Sequence, residues 1–212
     1  RALKSLDLSS FDTSKVSWMS GMFYDCDSLR TVDVTSFDTS NVSEMNSMFS
    51  GCSSLVSVDL SSFDTSSVTN AYGVFYSCSS LKWLDLSSFD MSAAREMNSF
   101  FYGCTSLQEV KFGDGFVFVG TDSFLPSQYS WDVPITWQNS EGRVFAAKDI
   151  PSFTADTYRA VVGSMPRLAG GTRYETAGLL FDQGNWQQGG SIVLASGANY
   201  PDALAASALA GD

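Results

Sequence analysis

Leucines recur along the first half of the chain at a fixed interval of 26 residues, and the other apolar positions keep step with them. Early in each interval two apolar positions are separated by one residue, as in Leu6 and Leu8, which is the spacing of a short strand. Further on, Val16, Met19 and Phe23 follow the three-to-four-residue spacing that predicts a short helix. Each interval therefore predicts one unit of strand, turn, helix and turn. The leucines that mark the units are Leu3, Leu29, Leu55, Leu81 and Leu107.

A single unit is too short to bury its apolar side chains alone, so neighbouring units are expected to stack. The opening of each unit, Leu-x-x-Leu-x-Leu in residues 3–8, is similar to that of leucine-rich repeats, with Phe11 where those repeats usually have asparagine. Residues 1–112 are therefore expected to form a right-handed solenoid with a parallel sheet on one face. The fold class predicted for the chain is α/β: a leucine-rich-repeat solenoid of 26-residue repeats, followed by a small connector and part of an open α/β module.

The repeated motif resembles the bacterial surface leucine-rich repeat family of BspA-like proteins, in a variant written as a domain of unknown function. Residues 3–107 follow its pattern L-x-x-L-D-L-S-S-F-D-T-S-x-V-x-x-M-x-x-M-F-x-x-C-x-S almost letter for letter. Members of that family are secreted or displayed adhesion-type proteins, so the resemblance implies a secreted protein at the cell wall or cell surface. It says little about the ligand, because the repeated letters are mostly core and turn positions.

The cysteines stand at equivalent positions of successive units, and three interpretations are open: a disulfide framework, a metal site or a ladder of buried thiols. Equivalent positions place them one above another about 5 Å apart, all pointing into the core. The chain has no Cys-x-x-Cys pair and no histidine, which disfavours zinc. Since free cysteine is often buried, the pattern favours the ladder. Its members are Cys26, Cys52, Cys78 and Cys104.

Two tryptophans interrupt columns of small or polar residues in the alignment of the units, and both are expected to be exposed. Trp83 aligns with Ser57 and Glu109, and Trp18 aligns with Glu44. An exposed tryptophan can anchor a partner, but single surface aromatics are also common without any function. Trp83 and Trp18 are therefore candidate partner-binding residues.

Aspartates form two further columns, one along the predicted sheet face and one at the turn after the strand. Like charges in a column repel by roughly 1 kcal/mol per neighbour in water, so a compensating interaction is expected. Hydrogen bonds from turn amides are sufficient for the second column, and calcium is a weaker alternative for the first because no D-x-D-x-D-G loop is present. Asp59 and Asp85 of the first column join the candidate partner-binding residues. The columns are Asp7, Asp33, Asp59 and Asp85, and Asp12, Asp38, Asp64 and Asp90.

After residue 112 the period vanishes, and residues 113–165 are predicted to form a cap and connector. Residues 116–119 are typical of a strand that covers the last coil, and residues 135–137 and 143–145 are typical of the two strands of a hairpin. Three aromatic residues of the connector are interpreted as its small core rather than as a sugar-stacking cluster. These are Tyr129, Trp131 and Trp137.

The last part of the chain, residues 166–212, contains the strings R-L-A-G-G-T-R-Y-E-T-A and L-A-S-G-A-N-Y-P-D-A-L-A. A capping box and a short apolar run predict helix, strand, loop and helix, as in part of an open α/β sheet. The two strings resemble the second type of cell wall binding repeat of Gram-positive bacteria, which implies noncovalent attachment to an anionic wall polymer.

Four residues of these strings are candidates for binding the wall polymer. Arg167 and Arg173 match the paired arginines of the wall-binding repeat, and a guanidinium group binds phosphate or carboxylate through two parallel hydrogen bonds. The alternative is that Arg173 pairs with an acid and orders the fold. Tyr174 and Asp202 complete the set.

Composition excludes several classes of function. The 212 residues include 12 Lys and Arg against 23 Asp and Glu, a net charge of -11, which argues against nucleic acid and anionic membranes as partners. The absence of histidine removes Ser-His-Asp triads, Cys-His dyads and most catalytic zinc sites. No apolar stretch is long enough to span a membrane. We predict no catalytic residue, no metal and no cofactor.

Two functions are consistent with these observations. The first is a noncatalytic bacterial surface protein whose repeat face binds a host or neighbouring-cell protein or glycan while the C-terminal module tethers it to the cell wall. The second is the targeting portion of a wall-lytic enzyme of the amidase type. Because the chain starts at Arg1 and stops within a helical pattern at Asp212, a catalytic domain outside these residues is compatible with the second function.

Overall fold

The computed structural model describes residues 6–129 and 133–162 of the chain. Six strands and a single turn of 3-10 helix are formed within these residues. The strands are β1 (Trp83–Leu86), β2 (Glu109–Phe112), β3 (Gln128–Tyr129), β4 (Val133–Gln138), β5 (Val144–Phe145) and β6 (Asp156–Val162), and the 3-10 turn is Ala147–Asp149. They belong to one open sheet of order β1-β2-β6-β4-β3, in which β5 pairs with β4.

The prediction of an α/β leucine-rich-repeat solenoid is wrong. The described residues contain no α-helix. They consist almost entirely of coil, turns and the strands of one open mixed sheet. Parallel pairing of strands is confined in this part of the chain to β1 and β2. The repeats are nevertheless stacked, because backbone hydrogen bonds join equivalent segments of successive repeats.

The segment predicted as a helix is a series of tight turns. In the first repeat, the Met22 N–H donates to the Met19 carbonyl at 3.3 Å, and the Cys26 N–H donates to the Phe23 carbonyl at 3.1 Å. These bonds join residues three apart. They therefore produce the same apolar spacing that a helix would produce, which is why the pattern was misleading.

The other N–H groups of these turns point out of their own repeat and bind the next one. Met19 donates to Glu44 and Phe23 donates to Met48, both at 2.8 Å, and the residues between them continue the alternation. An α-helix would use these N–H groups internally, four residues back along the chain. These N–H groups can therefore either join neighbouring repeats or form a helix, but they cannot do both.

Backbone conformation in the turns also excludes a helix. Each repeat has two residues of positive φ, four positions apart, such as Ser47 at 57° and Gly51 at 78°. Left-handed residues of this kind end an α-helix. A Cβ atom at Gly51 would also collide with the side chain of Asp25 and lie 3.1 Å from its Cα atom. Glycine at position 51 thus serves both the turn and the close approach of the neighbouring repeat.

Columns of identical side chains fill the space between the repeats. The rings of Phe23, Phe49 and Phe75 stack nearly parallel, with centroids 5.2 Å and 5.6 Å apart. Beside them, buried threonines bridge the backbones: the Thr13 hydroxyl donates to the Asp38 carbonyl at 3.0 Å and accepts from the Asp38 N–H at 2.8 Å. Each repeat thus satisfies backbone groups of the following repeat.

Residues after the last repeat cover its exposed side. Strand β6 pairs antiparallel with β2, so that Tyr158 lies opposite Val110, and Phe116 packs against Phe112 with centroids 4.3 Å apart. Residues 116–119 supply apolar cover but form no strand, so that detail of the prediction is wrong. The strand that covers the last repeat is instead β6, which pairs antiparallel with β2.

Strands β4 and β5 pair antiparallel around a turn at residues 139–142, in which Gly142 has a φ of 83°. Trp137 of β4 is fully buried, and its indole N–H donates to the Pro126 carbonyl at 3.0 Å. The structure therefore confirms a core role for Trp137 rather than sugar stacking. Trp131 lies outside the described residues.

Candidate functional site

Strand β1 exposes one tryptophan and one aspartate on the same face. The strand alternates between exposed and buried residues, so Leu84 and Leu86 enter the core while Trp83 and Asp85 face outwards. Trp83 is 49 % exposed, which agrees with the expectation of an exposed side chain. An indole ring held by a strand is a rigid contact surface with little conformational entropy to lose on binding.

Charged residues of the neighbouring strands surround this tryptophan. Glu109 of β2 lies opposite Trp83, and Lys111 lies opposite Asp85. The Lys111 ammonium is 2.9 Å from the Asp85 carboxylate, and Arg159 of β6 is 2.7 Å from the Glu109 carboxylate. We call these five residues the strand face. Both ion pairs are largely exposed, so they contribute little to stability and remain accessible to a partner.

The aspartate of the strand face is held in its ionised state. Partial burial of Asp85 opposes ionisation, but hydrogen bonds from Ser87 and Lys111 more than compensate, and its pKa lies below the ordinary value. Asp59 lies one repeat earlier in the same column, and its pKa is lowered by the backbone and side-chain hydrogen bonds of Ser61. The structure thus brings Trp83, Asp59 and Asp85 together on the strand side of the repeats.

All aspartates of the two columns make the same local contact. Each carboxylate accepts a hydrogen bond from the backbone N–H two residues later, as Asp12 does from Ser14 at 3.0 Å. Turn amides therefore balance the charge of the first column as well as the second. In the part of the chain that the structure describes, no group of Cys, Asp and Glu side chains is arranged to hold a metal ion. The contacts are those of Asp7, Asp12, Asp33, Asp38, Asp59, Asp64, Asp85 and Asp90.

The second candidate tryptophan belongs to a different column of the repeats. Trp18 is 70 % exposed and pairs with Glu44 through a parallel bridge, and the bridges continue to Asn70 and Glu96. It borders an open groove of about 290 Å³ at the first repeat, which Phe11 also lines. Trp18 is therefore not part of the strand face.

Sequence reasoning missed several exposed residues that the fold brings together. Lys111 and Glu109 were visible as the last members of their columns, but Arg159 lies beyond the repeats, where no period indicates which strand it joins. A tyrosine pair was also missed: the half-buried Tyr76 and the exposed Tyr102 stack with centroids 5.1 Å apart. Their spacing of 26 residues was the available signal.

The wall-polymer candidates of the C-terminal segment lie outside the described residues. They are Arg167, Arg173, Tyr174 and Asp202. Their role therefore stays a prediction.

Comparison with protein families assigns the repeated region. Residues 1–112 match the family described as Mycoplasma protein of unknown function, DUF285. The chain belongs to this family. Residues 167–212 of this DUF285 protein match cell wall binding domain 2. No curated protein and no solved structure matches the chain.

The two matches support part of the functional prediction. Cell wall binding domain 2 supports binding of a cell wall polymer and association with the cell surface or wall. The DUF285 match covers the stacked repeats, whereas a relationship to BspA-like leucine-rich repeats is not shown. Among the described residues, no helix of this DUF285 protein is long and apolar enough to cross a membrane.

Proposed function

We propose that this DUF285 protein is a noncatalytic bacterial surface protein. Its stacked repeats bind a protein or glycan of a host or neighbouring cell, and its C-terminal domain tethers it to the cell wall through an anionic polymer. The observation that carries this proposal is the match of residues 167–212 to a cell wall binding domain, in the same chain as a repeat surface with an exposed tryptophan.

The strand face favours a binding role for the repeats. Trp83 offers an exposed ring, and the pairs Asp85–Lys111 and Glu109–Arg159 supply charges of both signs around it. Tryptophan and arginine are the residues that most often dominate the free energy of protein association. A partner that covers Trp83 would form hydrogen bonds with the surrounding charges and exclude water from them.

The aspartates favour a noncatalytic role. Paired carboxylates catalyse hydrolysis when their environments separate their pKa values, so that one is an acid and the other a base. Here the pKa values of Asp33, Asp59 and Asp64 are all lowered by hydrogen bonds from a hydroxyl and an N–H two residues later. Carboxylates in such uniform surroundings stabilise turns, and their pKa values are not separated as an acid and a base would require.

Wall tethering is tested with the full chain bound to purified cell walls. One copy of the wall-binding domain is expected to bind weakly, and joining four biotinylated chains on streptavidin should raise retention by roughly 10² to 10⁴. Arg173→Ala and Arg167→Ala should reduce retention of the tetramer. Arg143→Ala, in which an exposed arginine 3.5 Å from Glu141 is lost, is the matched control and should have no effect. Retention that is unaffected by losing Arg167 and Arg173 would contradict the assigned binding residues.

Partner binding is tested by screening the immobilised chain against purified surface proteins and glycans. For a partner of the strand face, Trp83→Ser should weaken binding by about 30-fold, the equivalent of roughly 2 kcal/mol. Trp18→Ser is the matched control, because it removes an exposed tryptophan from another column. Circular dichroism should show that both variants remain folded. Equal affinity of both variants and the parent chain for every partner found would refute the contact surface.

A further inference from the structure

Three tyrosines lie on the outer side of the turn segments, in columns that the strand face does not include. Tyr72 is 43 % exposed and Tyr102 is 61 % exposed, and the half-buried Tyr76 stacks against Tyr102 with 16° between the ring planes. Equivalent positions of other repeats hold polar residues such as Asn46 and Ser50, so the core does not require these rings. Packing alone therefore does not explain their presence.

Two asparagines lie beside Tyr72. Asn70 precedes it by two residues in the same turn segment, and Asn98 is its equivalent in the next repeat. The Gly73 N–H donates to the Asn98 carbonyl at 3.0 Å, which sets neighbouring repeats about 5 Å apart in this direction. We call this surface the turn face; it comprises Asn70, Tyr72, Tyr76, Asn98 and Tyr102.

Both asparagines use their amide oxygens within the protein. The Asn70 Oδ1 atom accepts a hydrogen bond from the Tyr72 N–H at 3.1 Å. The Asn98 Oδ1 atom accepts one from the Thr121 N–H at 3.0 Å. Their amide nitrogens have no hydrogen-bond partner among the residues that the structure describes. Each of these side chains therefore leaves two N–H donors for a ligand.

The fold requires only the oxygen at position 70. Glu96 is the equivalent residue of the next repeat, and its carboxylate accepts from the Asn98 N–H at 2.9 Å. Aspartates serve other turns in the same way, as Asp64 does for the Ser66 N–H at 3.0 Å. A carboxylate would thus satisfy the backbone at Asn70 equally well. The amide nitrogen is the part of this side chain that the fold does not use.

Charge around the turn face disfavours an anionic partner. Glu44 and Glu96 flank Asn70 in the neighbouring repeats, to which parallel bridges join it. The three columns of the turn face contain no lysine or arginine in any repeat, and Arg95 stands only at their border, next to Glu96. A phosphate or uronate polymer would therefore meet two carboxylates. Ammonium groups are also a poor match, because they only donate hydrogen bonds and the amide nitrogens require acceptors.

We propose that the turn face binds an uncharged oligosaccharide. Sugar hydroxyl groups can accept from the amides of Asn70 and Asn98 and also donate to the flanking carboxylates. The exposed rings of Tyr72 and Tyr102 offer apolar surfaces against which the C–H groups of a pyranose ring pack. Repeats about 5 Å apart present these groups at intervals close to the length of one pyranose unit. This site is additional to the strand face and the wall-binding domain, and it does not depend on either.

The test titrates the full chain with maltohexaose, xylohexaose and chitohexaose by isothermal titration calorimetry. At least one hexasaccharide should bind, and Tyr72→Ala and Tyr102→Ala should each weaken its binding by about tenfold. Trp83→Ser is the matched control, because it removes an exposed aromatic ring from the strand face, and it should leave the affinity unchanged. Circular dichroism should show that all three variants remain folded.

A second substitution separates the amide donors from the structural role of the same side chain. Asn70→Asp keeps an oxygen for the Tyr72 N–H and removes both donors, so it should weaken binding by about fivefold while the protein remains folded. The new charge has no charged group on the sugar to repel. Asn139→Asp is the matched control, because the Asn139 oxygen likewise accepts a backbone N–H, from Arg143 at 2.8 Å, outside the turn face. This control should bind as the parent chain does.

Three outcomes would overturn the proposal. The first is that none of the hexasaccharides binds at millimolar concentration. The second is binding that Trp83→Ser abolishes and the two tyrosine variants retain, which would place the sugar on the strand face. The third is binding of oligolysine or polygalacturonate that depends on Tyr72, which would identify a charged partner. Wall retention and strand-face partners are measured separately, so failure of the proposed function would leave these readings unchanged.

Discussion

At the scale of single residues, the cysteine column shows how position within the stack changes chemistry. Burial raises the pKa of Cys52 to about 12 and also raises the pKa of Cys78. All four cysteines are free, which confirms the predicted ladder, although Cys26 at the first repeat is only half-buried. The thiol groups are therefore expected to differ in reactivity because their burial differs, while their sequence contexts are nearly identical.

Alkylation by iodoacetamide at pH 8 should distinguish these thiols. Cys26 should be modified in the native protein, whereas Cys52, Cys78 and Cys104 should react only after unfolding, because a buried thiol with a raised pKa supplies almost no thiolate. Mass spectrometry of the digested protein measures the four rates separately. Reductant should leave the melting temperature unchanged, and a fall of several degrees would instead point to disulfides.

At the scale of elements, the repeat length, the register and the inward positions could be predicted from the sequence, but the turn segment could not. Met19, Met22, Phe23 and Cys26 are spaced as in a helix, and the same spacing results from tight turns that donate alternate N–H groups to the next repeat. The sequence signal that indicated turns was the glycine or serine that recurs at the positions of positive φ, such as Gly51. Periodicity of apolar residues carries no information about where the N–H groups are directed.

Two glycine substitutions separate backbone strain from contact between repeats. Gly21→Ala should cost about 1–2 kcal/mol, because φ is 65° and the nearest atom to the new Cβ is 3.6 Å away. Gly51→Ala should cost more, because its Cβ would also collide with Asp25 of the neighbouring repeat. Free energies of unfolding from urea titrations measure both. Equal losses would show that contact between the repeats at this column is unimportant.

One part of the candidate site could be predicted from the sequence, and another part could not. Exposure of Trp18 and Trp83 followed from comparison of the repeats within one chain, since a large residue in a column of small or polar ones has no core position to fill. Arg159 was not predictable, because its approach to Glu109 depends on how β6 returns to pair with β2. Pairing between strands distant in sequence leaves no local periodic signal.

At the scale of the whole molecule, the aspartate columns make stability dependent on pH. Hydrogen bonds from the residue two positions later lower the pKa of Asp12, Asp38, Asp64 and Asp90 below the ordinary value of 3.8. A group with a lowered pKa in the folded state binds fewer protons than in the unfolded state, so it stabilises the fold above pH 3.8. This stabilisation is lost as the pH falls from 3.8 through the folded-state pKa.

Thermal melts followed by circular dichroism should therefore give a nearly constant melting temperature between pH 7 and 5 and a steep decline below pH 4. Ser66→Ala removes the hydroxyl donor of Asp64, so this variant should be less stable than the parent chain at pH 7, and the difference should shrink at pH 2.5. Ser62→Ala, an exposed neighbour, is the matched control. A difference that stays constant across this range would contradict the electrostatic origin.

The hydrogen bonds that join one repeat to the next also determine how the protein responds to mechanical tension. If the repeats bind a cell and the C-terminal domain binds the wall, as proposed above, tension would act across these bonds, and each repeat is joined to its neighbour by a limited set of hydrogen bonds and stacked rings. Repeats would then detach one after another rather than together. Each detachment would release 26 residues, about 90 Å of extended chain. A stack of this kind would lengthen in steps under load, and this yielding would protect the wall attachment from abrupt forces.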